Sequence, residues 1–382
     1  MSQTRRLFQR SPILCHLFHT PSFHRTYITM PVTIIAAKPA TEAVKGNFRY
    51  IGELAESHLL SYSNSTADIG VNLTDAVFRG FHHGRKKHDD DFEAMLERAR
   101  AAGVRSMIIT GGSLHESREA LGLAETHGLY ATVGCHPTRS GQFDKFRGGP
   151  EAYLKALDEL LEKHKQGKGR VVAVGECGLD YDRTHFASPE TQKTHFRSQL
   201  ALAKKHHLPL FLHSRAAHKD FVSILQEEGF GEDGGRSVGG KGGVVHSFTG
   251  TVEELNELMN MGFHISVNGC SLKTEANLQA AKAIRPELFM LETDAPWCTM
   301  TSTHASKPHL DTLPASLRPL YFPPATKPEQ FLYGRPVKGR NEPCAIGGVA
   351  WVIHKLNGVP FEKVTEKAWK NTVELFGLEE LK

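Results

Sequence analysis

The chain has 382 residues, 40% of them apolar and 23% charged, which are the proportions of a globular protein able to bury a sizeable core. No apolar run approaches the roughly 18 residues a membrane span needs, so a membrane-spanning body is excluded. The formal charge of +4 is an N-terminal effect: residues 1–40 hold Arg5, Arg6, Arg10, Arg25 and Lys38 and no acid, leaving 41 basic against 42 acidic residues in the rest. A global basic field is thereby excluded, and any phosphate site must be local.

Residues 1–30, MSQTRRLFQRSPILCHLFHTPSFHRTYITM, mix Arg, Ser and Thr with scattered bulky apolar side chains, the composition of a mitochondrial transit peptide. An untargeted extension, or an upstream start ahead of Met30, fits the same composition. The chain is divided into a leader over residues 1–45 and one body over 46–382. An intracellular location is expected, mitochondrial if the leader directs it and cytoplasmic or nuclear otherwise. The six cysteines, at 15, 135, 177, 270, 298 and 344, form no CxxC pair and no regular spacing, which indicates neither a zinc ribbon nor a disulfide framework.

Residues 53–67, ELAESHLLSYSNSTA, begin as a helix and end as a polar run; they read as an insertion or as sequence retained by imperfect gene prediction. Beyond them, short apolar runs alternate with amphipathic segments. Strands are expected at 68–73, 106–110, 130–134, 171–175, 208–212, 243–246, 264–267 and 288–292, and helices at 92–102, 114–127, 150–164, 192–206 and 252–261. Eight strands alternating with helices predict an α/β fold, a (β/α)8 TIM-type barrel rather than an open doubly wound sheet. Residues 297–343 hold eight of the 19 prolines and read as a long loop insertion over one face.

Polar residues gather where those strands stop: GCHP (His136), GECGLD (Glu176), LHSR (His213), VHSF (His246) and ETDAP (Asp294). Strand C-termini converge on one mouth of a barrel. Taken singly, each has an ordinary explanation, since most of the 22 histidines are solvated or hydrogen-bonded side chains. Taken together, two imidazoles and two carboxylates at equivalent strand ends point to a metal centre, because unpaired buried charges cost several kcal/mol each. Glu176, His213, His246 and Asp294 are the candidate ligands, with Glu176 the candidate bridge between two ions.

At this point the chain resembles the TatD family of metal-dependent deoxyribonucleases, amidohydrolase-like barrels. The motifs that carry the resemblance are DIGVNLTD, TGGSLHES, GCHP, GECGLDYDR, HSRAAH, HSFTG, ETDAPW, RNEP and NTVELFG, between Asp68 and Gly377. The resemblance implies hydrolysis of DNA phosphodiesters, 3′ to 5′ and exonucleolytic, with roles in DNA repair or in DNA fragmentation during cell death. It implies Glu176, His213, His246 and Asp294 as metal ligands and His136 beside the scissile phosphate. One departure stands out: many relatives open the first strand with His-x-His, and the aligned places here hold Gly70 and Asn72. An ion lacking those imidazoles leans on carboxylates, waters and phosphate oxygens, which favours one or two exchangeable Mg²⁺ or Mn²⁺ ions over tightly held Zn²⁺.

The expected nucleophile is a water activated by the ion, with Asp294 taking its proton and Glu176, Asp294 and His136 forming the catalytic set. The expected partner is DNA, single-stranded or with frayed ends, acted on by a monomer. Arg215 is a candidate phosphate contact, its alternative being a structural salt bridge. Arg79, His88 and Arg340 are candidates to track the backbone, and Trp297 and Tyr181 to stack on bases or pack under a loop. Two rival functions use the same residues: an amide or ester hydrolase, including removal of aminoacyl groups from tRNA, and a catalytically weak binding protein.

Overall fold

The computed structural model describes residues 65–165 and 167–381. The expected leader over 1–45, and all of the segment 53–67 except its last three residues, lie outside the described residues.

Eight parallel strands run in chain order round a barrel: β1 (Thr66–Val71), β2 (Val104–Ile109), β3 (Tyr130–Val133), β4 (Val171–Asp180), β5 (Leu210–Arg215), β6 (Gly243–Val245), β7 (His264–Val267) and β8 (Phe289–Leu291). Each strand pairs with the next. The last gap closes where Val71 bridges Ala295 in parallel and Asp294 N–H donates to Gly70 O at 2.9 Å. The expected (β/α)8 barrel is the fold.

Alternation along the strands sends Ile69, Ile108, Val172, Phe211, Val244 and Met290 into one buried interior cluster, with side chains of opposite parity packed outward under the helices. The helices include α1 (Phe92–Ala101), α2 (Leu114–His127), α3 (Gly149–His164), α4 (Pro189–His206), α5 (His218–Glu227), α6 (Val252–Asn260) and α7 (Glu275–Ala283). Their starts follow from capping chemistry. Thr251 and Glu254 form a reciprocal capping box on α6, while Ser188 caps α4 ahead of Pro189. That cap begins α4 three residues before the expected start at 192.

Two further helices, α8 (Ile346–Asn357) and α9 (Phe361–Phe376), complete the body, and Leu375, Phe376 and Leu378 join the interior cluster beside Tyr130 at the start of β3. This closes the N-terminal end of the barrel and leaves the other end as the mouth. The proline-rich stretch is less bare than a loop, since it carries short helices at Lys307–Asp311 and Arg318–Tyr321. Gly347 and Gly348 of α8 leave room for the Tyr321 and Phe322 rings, which a Cβ at either position would strike.

Candidate metal centre

The strand that carries Glu176 does not stop at Gly175. It continues to Asp180, with a register irregularity between Gly175 and Cys177, so Glu176 sits at a bulge within the strand rather than at its end. Bulges re-aim side chains. Backbone crowding decides the residue types: a Cβ on Gly178 would meet the His213 carbonyl, and one on Gly134 would fall 2.7 Å from Gly175 Cα. Cys177 and Leu179 pack into the outer apolar cluster, which turns Glu176 and Asp180 to the opposite face.

Three imidazoles surround one oxygen of Glu176. His246 Nε2 lies 2.7 Å from Oε1, His213 Nδ1 3.0 Å and His136 Nε2 3.4 Å. Burial works to raise the Glu176 carboxyl, but the imidazoles outweigh it and hold it well below the usual carboxylate range. Burial would equally discharge His246, yet Glu176 and Glu292 push it well above its ordinary value. Ligand atoms of Glu176, His213 and His246 lie within 4.8 Å of one another, as do those of His136, Asp180 and His213. His213 Nε2, His246 Nδ1 and Asp180 Oδ2 are buried and have no hydrogen-bond partner. A carboxylate ringed by imidazoles, with such orphaned atoms around it, fits a divalent cation, which takes the place of the imidazolium protons.

Asp294 stands beside this cluster rather than in it. Its Oδ1 accepts from Asn72 Nδ2 at 2.8 Å and its Oδ2 from the Cys298 thiol at 3.3 Å. Burial, with Glu292 and Glu176 nearby and His246 opposing, pushes its carboxyl up to about 6. Its backbone is left-handed, φ 54°, a conformation that non-glycine residues hold where the surroundings impose it. Asn341 provides part of that constraint: its Nδ2 donates to Thr293 O at 3.0 Å and to Trp297 O at 2.8 Å.

His136 has a defined tautomer. Thr138 N–H donates to its Nδ1 at 3.1 Å, so the neutral ring carries its proton on Nε2, facing Glu176. Burial lowers its pKa to about 3.

The expected substrate residues divide. Trp297 is 55% exposed on the loop after β8, and Arg215 is half-exposed, 3.9 Å from Asp182. Tyr181 donates its hydroxyl to Asp220 at 2.6 Å. Arg79 lies over the Phe92 ring and 3.7 Å from Asp90. Two expectations are corrected. Arg340 is 7% exposed, with Nη1 on Asp91 at 2.7 Å and Nη2 on Asp91 at 2.6 Å and Glu342 at 2.7 Å; its charge is committed to a buried brace. His88 is 6% exposed, stacked on Phe331 and hydrogen-bonded to His82 and Asp89 O.

Sequence reasoning missed Asp180 and Glu292. Asp180 Oδ2 lies 3.4 Å from His213 Nε2, and Glu292 Oε2 3.6 Å from His246 Nδ1. Alternation could have found Asp180, since it shares parity with Glu176. Glu292 was hidden because its burial depends on Ser266 of β7 and Asn268 just after it, which donate to it at 2.9 and 2.8 Å.

Residues 68–377 match the family described as TatD related DNase. "Deoxyribonuclease Tat-D" of Schizosaccharomyces pombe is 44% identical over 310 residues, covering 81% of this chain and 94% of its own. "3'-5' ssDNA/RNA exonuclease TatD" of Erwinia tasmaniensis is 34% identical over 316 residues, covering 81% and 99%. Among solved structures, an uncharacterized amidohydrolase from Saccharomyces cerevisiae superposes with TM-score 0.74 at 34% identity, covering 81% of this chain and 99% of its own.

Proposed function

This chain belongs to the TatD-related DNase family, and from that premise we propose that it is a metal-dependent nuclease that hydrolyses DNA phosphodiesters exonucleolytically from the 3′ end. The observation that carries the reading is the convergence of His136, His213 and His246 on Glu176 Oε1, within 3.4 Å, beside a second, partly buried carboxylate at Asp294. Glu176, His213 and His246 would hold Mg²⁺ or Mn²⁺. A divalent cation so held neutralises phosphate oxygens and acidifies water.

The protein's own groups supply the rest. Asp294, with its carboxyl raised toward neutrality, accepts the proton of the attacking water. Asn72 fixes one Asp294 oxygen and leaves the other to do so. His136, neutral and protonated on Nε2, donates to the phosphate or to the departing sugar oxygen. The exposed Trp297 offers a base-stacking face on single-stranded or frayed DNA. Ends released in DNA repair or in cell-death fragmentation are the expected cellular substrates.

The test is digestion of end-labelled single-stranded DNA with Mg²⁺ or Mn²⁺ by wild type, Glu176→Ala and Asp294→Asn. Both variants should lose digestion; undiminished digestion by both would overturn the site.

A further inference from the structure

Cys270 follows β7 in a short helical turn, Cys270–Leu272, and Cys298 follows β8, so the two thiols stand on adjacent loops of the barrel mouth. Their Sγ atoms lie 2.7 Å apart, with no side chain between them. Both residues are half-buried, whereas Cys135, Cys177 and Cys344, the other cysteines among the described residues, are buried. Among the cysteines of the described residues, an oxidant in solution therefore meets this pair first, since thiol oxidation follows access. Nothing in the sequence marks it, because 28 residues separate the partners.

The pair also touches the chemistry. Cys298 donates its S–H to Asp294 Oδ2 at 3.3 Å, the oxygen that Asn72 leaves free. A disulfide has no proton to donate, so oxidation strips Asp294 of that partner. It also ties the loop after β7 to the loop that carries Trp297. Reduction restores both the donor and the freedom of the loop.

We propose that Cys270 and Cys298 are an oxidisable dithiol, a covalent modification site at the mouth whose closure by a peroxide turns down the reaction at Asp294. The chemistry balances in two displacements. One Sγ attacks a peroxide oxygen, breaking the O–O bond and giving a sulfenic acid and one water. The second Sγ then attacks that sulfur, forming the S–S bond and expelling the oxygen as a second water, which carries off the remaining thiol proton. A dithiol reductant reverses the modification by thiol–disulfide exchange.

The downturn in activity rests on the nuclease reading; the disulfide itself does not. Metal-free full-length protein is treated with hydrogen peroxide, desalted, alkylated and digested without reductant for peptide mass mapping. A portion receives Mn²⁺ and is assayed on single-stranded DNA. The expected result is a peptide linking Cys270 to Cys298 and a several-fold slower digestion that dithiothreitol restores. Cys270→Ser, which keeps the Cys298 donor, should match the untreated rate and resist the oxidant. Alkylated thiols at both positions after peroxide would overturn the proposal, as would equal peroxide sensitivity in wild type and Cys270→Ser. Because the linked peptide is read without activity, a failed nuclease assay and a failed disulfide are separate results.

Discussion

Asp180 Oδ2 lies 3.4 Å from His213 Nε2, both atoms buried and neither otherwise hydrogen-bonded. The other ring nitrogen of His213 faces Glu176 at 3.0 Å, so the imidazole is held between two carboxylates. Such an outer carboxylate fixes the ring's tautomer and raises its basicity, and its loss lowers metal affinity by about 10- to 100-fold. Asp180→Asn should weaken Mn²⁺ binding by that factor in titration calorimetry while the fold, read by circular dichroism, is kept. Unchanged affinity would remove Asp180 from the site.

Position 70 has little room for a side chain. A Cβ there would sit 2.8 Å from Glu292 Oε2 and 3.3 Å from Phe211 Cζ, so Glu292 occupies space that a side chain at position 70 would need. Gly70→His should therefore add no bound ion by metal analysis, and should destabilise by about 1–3 kcal/mol, the usual cost of overpacking. A variant that gained an ion at unchanged thermal stability would contradict this.

Arg340 pairs with Asp91, at the start of α1, and with Glu342. Removing it leaves Asp91 and Glu342 buried without one of their partners, a loss of about 3–5 kcal/mol. In Arg340→Ala the urea midpoint should drop accordingly, and Arg340→Lys should recover little because lysine lacks the planar fork that reaches both carboxylates. If it instead raised KM for DNA at full stability, Arg340 would be a substrate contact after all.

Burial acts to raise the Asp91 carboxyl, but Arg340 and Arg98 outweigh it and set it below its ordinary value. A group whose pKa is depressed on folding contributes stability that is present above the unfolded value, about 3.9, and is lost as pH falls through the folded value. The stability gap between wild type and Asp91→Asn, measured by urea unfolding, should thus be widest near neutrality and narrow below about pH 4. A gap that widened in acid would refute the pairing.

Trp297 is the exposed aromatic on the loop next to Asp294. If bases stack on it, Trp297→Ala should cost about 1–3 kcal/mol in binding of single-stranded DNA, read as a higher KM with kcat little changed. Equal KM values would return Trp297 to a packing role.

Local pattern made the barrel legible. Short continuous apolar runs such as Val171–Val174 and three-four spacing such as Phe196, Leu200 and Ala203 reflect burial that each segment carries in its own sequence. His136, Glu176, His213, His246 and Asp294 could be picked out because they stand at or near the ends of those runs. Parity along β4 also held Asp180, although it went unread.

Other features were decided by tertiary structure, because they depend on which distant residue fills a given space. Arg340 and His88 read as surface charges until their neighbours enclosed them. Glu292 became a partner of His246 only through the closeness of β6 and β8 around the barrel axis, and Cys270 met Cys298 only because β7 and β8 are neighbours. The sequence by itself determined the alternation of elements and the chemistry carried to the mouth. Closure of the barrel decided which of those groups converge, which steady one another and which serve as braces, since desolvation and pairing act across space and leave no fixed spacing along the chain.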